Sequence, residues 1–169
     1  MIPIPVSKIP LLKNLNAPID FGLTWNDKPL MGPNKTWRGL LVGTIAAVIT
    51  FQFQVYLATN TSILSDTVVF GIDYANPTAS NYVLMALLGF GALFGDAVES
   101  IAKRQLGIQS GKSWKFFDQT DYVFGALLLG QLANPLPINT LILSIVVWGL
   151  IHPLATVFGY LIGMKDSPI

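Results

Sequence analysis

The chain has 169 residues, of which 52% are hydrophobic and only 11% charged, with a formal net charge of +1 and no cysteine. A soluble domain carries about 25% charged residues, so a soluble fold is excluded and an all-α integral membrane protein is expected. The lack of cysteine excludes disulfides, thiolate catalysis and cysteine metal sites, and nucleic acid is not an expected partner.

Residues 1–37 contain Pro3, Pro5, Pro10, Pro18, Pro29 and Pro33. A span needs about 20 mostly apolar residues without such breaks, so this segment is expected at the interface. It lacks the unbroken apolar core of a cleavable signal peptide. Gly39 to Ala58 is the first clear span; it ends in Gln52-Phe53-Gln54-Val55-Tyr56, whose polar and aromatic side chains suit the headgroup level. Residues 59–80, with Asp66, Asp73, Asn76 and Pro77, read as an extramembrane connection in which Val68-Val69-Phe70 touches the interface. The second span covers 81–105, with Gly89, Gly91 and Gly95 permitting close helix packing.

Residues 106–120 form a polar, basic loop. Asp121 to Ala133 is apolar but reaches only about 20 Å at 1.5 Å per residue. It needs Asn134-Pro135-Leu136-Pro137 to complete a crossing, or lies where the protein is thin. Ile138 to Gly163 is long enough to cross with tilt and is interrupted by His152-Pro153. The lone His152 fits packing better than catalysis, although Thr156 and Tyr160 share its helical face. The tryptophans at 25, 37, 114 and 148 fit interfacial or packing positions.

All ten Lys and Arg, at 8, 13, 28, 35, 38, 103, 104, 112, 115 and 165, fall on one side of spans at 39–58, 81–105, 121–135 and 138–163. The loops 59–80 and 134–137 hold none. The positive-inside rule then makes segments 1–38 and 106–120 cytoplasmic, with both termini. The expectation is one membrane-embedded catalytic domain over 1–169, multi-pass in the cell membrane, with four clear transmembrane helices and a polar cytoplasmic site. A fifth, N-terminal span is left open by residues 1–16.

Three pieces meet at that face. Asp96, Glu99, Ser100 and Lys103 share one side of the second span. A charge at membrane depth costs roughly 2.5–3.5 kcal/mol and persists where it faces a polar cavity. An internal Glu99–Lys103 pair would satisfy two of these groups but leaves Asp96 without a sequence-local partner. Asp118 and Asp121, spaced i,i+3 at the start of the third span, suit either helix capping or ligation. With Asp96 they offer hard oxygen ligands suited to Mg²⁺, which takes one or two carboxylates plus substrate phosphates. Lys103, Arg104, Lys112 and Lys115 lie between the acids, as a polyphosphate requires. Finally, Gly32-Pro33-Asn34-Lys35-Thr36-Trp37-Arg38-Gly39 puts two cations, a hydroxyl and an amide at a helix start, an arrangement suited to phosphate; Lys35 and Arg38 also fit anchors that snorkel to headgroups. No nucleophile elbow and no P-loop is present.

Asn34-Lys35-Thr36-Trp37-Arg38-Gly39, Gly95-Asp96 with Ser100 and Lys103-Arg104, and Asp118-Gln119-Thr120-Asp121 with Gly125-Ala126 resemble the archaeal CDP-archaeol synthases. Pro18-Ile19-Asp20-Phe21-Gly22, Gly32 and the run from His152 through Tyr160 to Gly163 follow the same pattern. Those enzymes are distant relatives of the CDP-diacylglycerol synthases, whose signature serine, Lys-Arg pair and two aspartates match Ser100, Lys103, Arg104, Asp118 and Asp121. The Lys-Asp and His-Gly-Gly elements of the larger family have no counterpart here, and the hydrophobic span that usually opens the archaeal family fits residues 1–16 poorly.

The resemblance implies a Mg²⁺-dependent cytidylyltransferase joining CTP and a prenyl-ether lipid phosphate, 2,3-bis-O-geranylgeranylglycerol 1-phosphate, into CDP-archaeol with release of pyrophosphate. It implies Asp96, Asp118 and Asp121 as metal ligands with Glu99 beside them. It also implies Lys35, Arg38, Lys103 and Arg104 on phosphates, and Asn34, Thr36, Ser100, Lys112 and Gln119 on substrate. A homo-oligomer is compatible with this reading. Two alternatives stand beside it: a bacterial-type CDP-diacylglycerol synthase acting on phosphatidic acid, and a small ion-coupled transporter. The transporter needs polar groups across the far half of the spans, which offers few: Gln52 and Gln54 on the first span and Asn139, Thr140 and Ser144 on the last.

Overall fold

Helices dominate the computed structural model, which describes residues 15–61, 68–69, 71–109, 112, 114 and 117–161. They are α1 (Trp37–Asn60), α2 (Ala79–Gln105), α3 (Asp121–Gly130) and α4 (Ile138–Leu161). One antiparallel hairpin, β1 (Thr24–Trp25) with β2 (Lys28–Pro29), precedes α1, and a second, β3 (Val68–Val69) with β4 (Ile72–Asp73), lies between α1 and α2. The question of an N-terminal span over 1–16 lies almost wholly outside the described residues, as do Lys115 and the side chains of His152 and Thr156. Among the described residues, α1 and α2 are long and apolar enough to cross a membrane.

The two long helices α1 and α2 start where the sequence supplies a cap. Thr36 Oγ1 accepts from Gly39 N–H at 3.2 Å at the head of α1. Thr78 and Asn81 form a reciprocal capping box at the head of α2, with Thr78 N–H donating to Asn81 Oδ1 at 2.8 Å. Helices α1 and α2 run antiparallel, since Gly43 lies against Leu93 and Gly89 against Ala47 and Thr44.

Away from the charged end, Phe51, Val55, Ala58, Ile72, Tyr74 and Leu84 form one buried cluster. Phe51 is fully enclosed and meets Tyr82 edge-on at a ring separation of 5.0 Å. Residues 59–80 are therefore more than the extramembrane connection expected: the β3–β4 hairpin turns Ile72 and Tyr74 back onto α1 and α2, which closes the apolar core at that end. The apolar surface these two remove from water, at about 25 cal/mol per Å², is what holds the segment down.

The packing of α3 on α2 sets the depth of the charged site. A Cβ on Gly91 would run into the Gly125 carbonyl, one on Gly95 into the Asp121 carbonyl, and one on Gly125 into Gly91 and Gly95. Only hydrogens fit, so the two backbones touch. Asp121, the first residue of α3, is thus level with Gly95. Beyond that level α2 continues through Gln105, about 15 Å further at 1.5 Å per residue. The third apolar segment is short because it begins part-way down α2. It also ends earlier than expected: α3 stops at Gly130, and residues 131–134 turn, with Gln131 Oε1 accepting from Leu136 N–H at 2.7 Å.

Candidate active site

Beside the last turns of α2, where α3 has not yet begun, lie the 3₁₀ turn Phe117–Gln119 and the segment leading into α1. Helical spacing puts Asp96, Glu99, Ser100 and Lys103 along one strip of α2. Glu99, Ser100 and Lys103 are buried, and Asp96 is half-exposed.

Opposite that strip lies a knot made by residues 17–37. Ile19 N–H donates to the Lys35 carbonyl at 2.8 Å and Trp37 N–H to the Ala17 carbonyl at 3.2 Å. The β1–β2 hairpin between them turns through Asn26 and Asp27, both at positive φ, as a tight two-residue turn needs. The knot delivers Lys35 to Asp96, Nζ to Oδ2, at 2.5 Å. Arg38 is the second residue of α1, and its Nε is buried with no hydrogen-bond partner among the described residues. A cavity of about 440 Å³ opens here, lined by Asn34, Lys35, Thr36, Arg38, Leu40, Leu93 and Asp96 among others. Its lining combines cationic and hydrogen-bonding groups with apolar side chains.

Behind Asp96, single oxygens of Asp96, Glu99 and Asp121 lie within 4.8 Å of one another. Lys103 pairs with Glu99 at 3.1 Å and also with Asp118, so it ties the 3₁₀ turn Phe117–Gln119 to α2. Asp118 Oδ2 accepts from Trp114 N–H at 3.0 Å. Burial raises the Asp118 pKa, but hydrogen bonds with Glu99, Lys103 and Trp114 outweigh it and bring the carboxyl down to about 2. Lys35 and Lys103 supply the ion pairs for Asp96, Glu99 and Asp118, while Asp121 has none among the described residues. Carboxylates packed this closely repel unless a cation joins them, and three convergent hard oxygens fit a divalent metal ion.

The remaining expected residues divide. Gln119 is half-buried in the 3₁₀ turn, and Lys112 is exposed on the connecting loop. Thr36 is committed to capping α1. Arg104 turns away from the acids: its Nε donates to the Met31 carbonyl at 3.4 Å and its Nη1 to the Ile108 carbonyl. With Lys28, whose Nζ donates to the Gln105 carbonyl at 2.6 Å, it borders a second cavity of about 290 Å³.

The family described as CarS-like, CDP-archaeol synthase, matches residues 6–169. The chain belongs to this family. It is 37% identical to the CDP-archaeol synthase of Methanosphaerula palustris over 90% of this chain and 89% of that one. Against the CDP-archaeol synthase of Methanocaldococcus jannaschii it is 32% identical over 89% and 82%. It also resembles the solved structure of an intramembrane enzyme for archaeal membrane lipid biosynthesis, with a TM-score of 0.64, 25% identity, and coverage of 89% of this chain and 85% of that one. As a member of the CDP-archaeol synthase family the protein is a membrane enzyme, a CTP-dependent cytidylyltransferase of archaeal ether-lipid biosynthesis.

Two features of the site were given no role by the sequence reading. Asn16 and Ile19 line the larger cavity although they precede its basic motif by many residues. Asp20 is buried at the centre of the knot; its signal was the Asp-x-Gly spacing to Gly22, which suits a side chain that caps nearby backbone N–H groups.

Proposed function

We propose that this enzyme transfers the cytidylyl group of CTP to 2,3-bis-O-geranylgeranylglycerol 1-phosphate, forming CDP-archaeol and pyrophosphate, on the cytoplasmic side of a four-span domain. The convergence of Asp96, Glu99 and Asp121 beside Lys35, Arg38 and Lys103 carries this reading. The cytoplasmic placement rests on the one-sided distribution of all ten Lys and Arg.

A lipid phosphate brings its own nucleophilic oxygen, so no activated side chain is required. That oxygen attacks the α-phosphorus of CTP; a P–O bond forms there, the α–β bridging bond breaks, and pyrophosphate leaves with the bridging oxygen. Mg²⁺, held by Asp96, Glu99 and Asp121 with Asp118 next to them, would offset phosphate charge and act as a Lewis acid. The chain's own task is to bring two anions together. Lys35 and Arg38 bind phosphate in the larger cavity, whose apolar lining of Leu40 and Leu93 suits the glycerol end of a lipid. Lys103 bridges Glu99 and Asp118 and holds the two carboxyl groups in place. Positioning and charge neutralisation are then the main sources of rate.

Products from labelled CTP, resolved by thin-layer chromatography with prenyl-ether phosphate or phosphatidic acid as acceptor, test the substrate. Preference for phosphatidic acid would overturn the ether-lipid assignment. Asp96→Asn and Asp121→Asn, each close to isosteric, should lower Mg²⁺-dependent transfer by roughly 100-fold or more with the fold intact; full activity in either removes that residue from the metal set.

A further inference from the structure

The N-terminal knot raises a question that the acids and cations of the site leave open: what holds Lys35 and Arg38 in register with α2. The loop from Leu30 to Thr36 contains Gly32 at φ +101 and Pro33 and belongs to neither hairpin nor helix. Such a segment keeps one conformation only if its backbone groups are tied.

We propose that Asp20 is the positioning residue for the phosphate-binding loop, acting through the peptide units of Met31 and Gly32. Asp20 is only 5% exposed and accepts three backbone hydrogen bonds, from Met31 N–H at 2.8 Å, Gly22 N–H at 3.0 Å and Gly32 N–H at 3.3 Å. The carbonyl of the same Met31 accepts from Arg104 Nε at 3.4 Å. One residue is therefore held from both sides, its N–H by an anion on the knot and its C=O by a cation on α2. Charge-assisted hydrogen bonds of this kind are about twice as strong as neutral ones. The two restraints fix where the loop leaves Gly32, three residues before Lys35 meets Asp96. Burial raises the Asp20 pKa, yet the N–H groups of Gly22, Met31 and Gly32 outweigh it and keep the carboxylate ionised. Asp20 lines neither the larger cavity nor the acid cluster, so its effect is exerted through the loop.

The inference rests on the reading of Lys35 and Arg38 as phosphate-binding groups. It is tested in the full chain, reconstituted in lipid, by steady-state kinetics of Asp20→Asn with CTP and with the prenyl-ether phosphate. Asn keeps the shape but loses the charge and presents an amide to the N–H groups. The KM of at least one anionic substrate should rise roughly tenfold while kcat changes less than about threefold, and the coupled variant Asp20→Asn with Arg104→Gln should lose less than the sum of the two single losses. Unchanged KM values in a folded Asp20→Asn protein, or fully additive losses, would overturn the inference. Hydrogen–deuterium exchange on the unmodified protein gives a second measure that does not depend on a variant folding. The Met31 and Gly32 amides should be as protected without substrate as those of Ile19 and Trp37, and fast exchange at both would overturn the inference equally. Transfer from CTP by the unmodified protein is the separate check on the functional reading, so the two fail independently.

Discussion

Asp96 shows how a single side chain acquires its role from what is placed around it. On α2 alone it is an acid with no neighbour to neutralise it; in the folded protein it joins Lys35 on one side and the oxygens of Glu99 and Asp121 on the other. The sequence identified the acids and their helical face, and it missed that Lys35 is the partner, because a contact across 61 residues leaves no local signature. Asp20 is the converse case, where local Asp-x-Gly spacing was present and its consequence lay in the distant Met31 and Gly32 amides. Because its carboxyl titrates below the ordinary 3.8 in the fold, Asp20 contributes stability that is complete above pH 3.8 and is lost as pH falls below it. The thermal midpoint of the protein, followed from pH 6 to pH 3, should therefore decline, and Asp20→Asn should show a shallower decline. Parallel pH profiles for the two proteins would exclude Asp20 as a source of acid sensitivity.

At the scale of elements, the contact between α2 and α3 decides whether the acids meet. Gly91, Gly95 and Gly125 let the backbones touch, and the level of that contact puts Asp121 beside Asp96. Gly125→Ala would force a methyl against the Gly91 carbonyl and the Gly95 backbone, neither of which can rotate away. Overpacking of this sort costs about 1–3 kcal/mol, and a shift of about 1 Å between catalytic groups is worth on the order of 100-fold in rate. Gly125→Ala should thus lower both the unfolding midpoint and the transfer rate, whereas Gly149→Ala, where an added methyl meets nothing, should alter neither. Equal behaviour of the two variants would show that the close approach is not needed. Gly91 and Gly95 were legible in the sequence as packing positions, while their partner Gly125 was not. That the short third helix starts level with Gly95, and so leaves room for a polar site alongside the rest of α2, was not, since depth depends on which glycine meets which.

For the whole molecule, charge separates the two ends. The knot, the acids and the 3₁₀ turn gather at one end, and the Phe51–Ile72–Tyr74 cluster closes the other. With no cysteine in the chain, single cysteines can report the side each end occupies. An impermeant thiol reagent should reach Gln109→Cys only from the cytoplasmic face of sealed vesicles and the exposed Asn76→Cys only from the opposite face; labelling of both from one face would refute the proposed topology. Composition and the one-sided placement of Lys and Arg determined, from sequence alone, a membrane protein with helices near 39–58, 81–105 and 138–163, because burial in lipid and membrane insertion act on local averages of hydropathy and charge. Which carboxylates converge, which cation each one meets, and how far below the end of α2 the third helix begins were decided only by tertiary packing. Those quantities depend on contacts between segments far apart in the chain, fixed by where two backbones lacking side chains are able to touch.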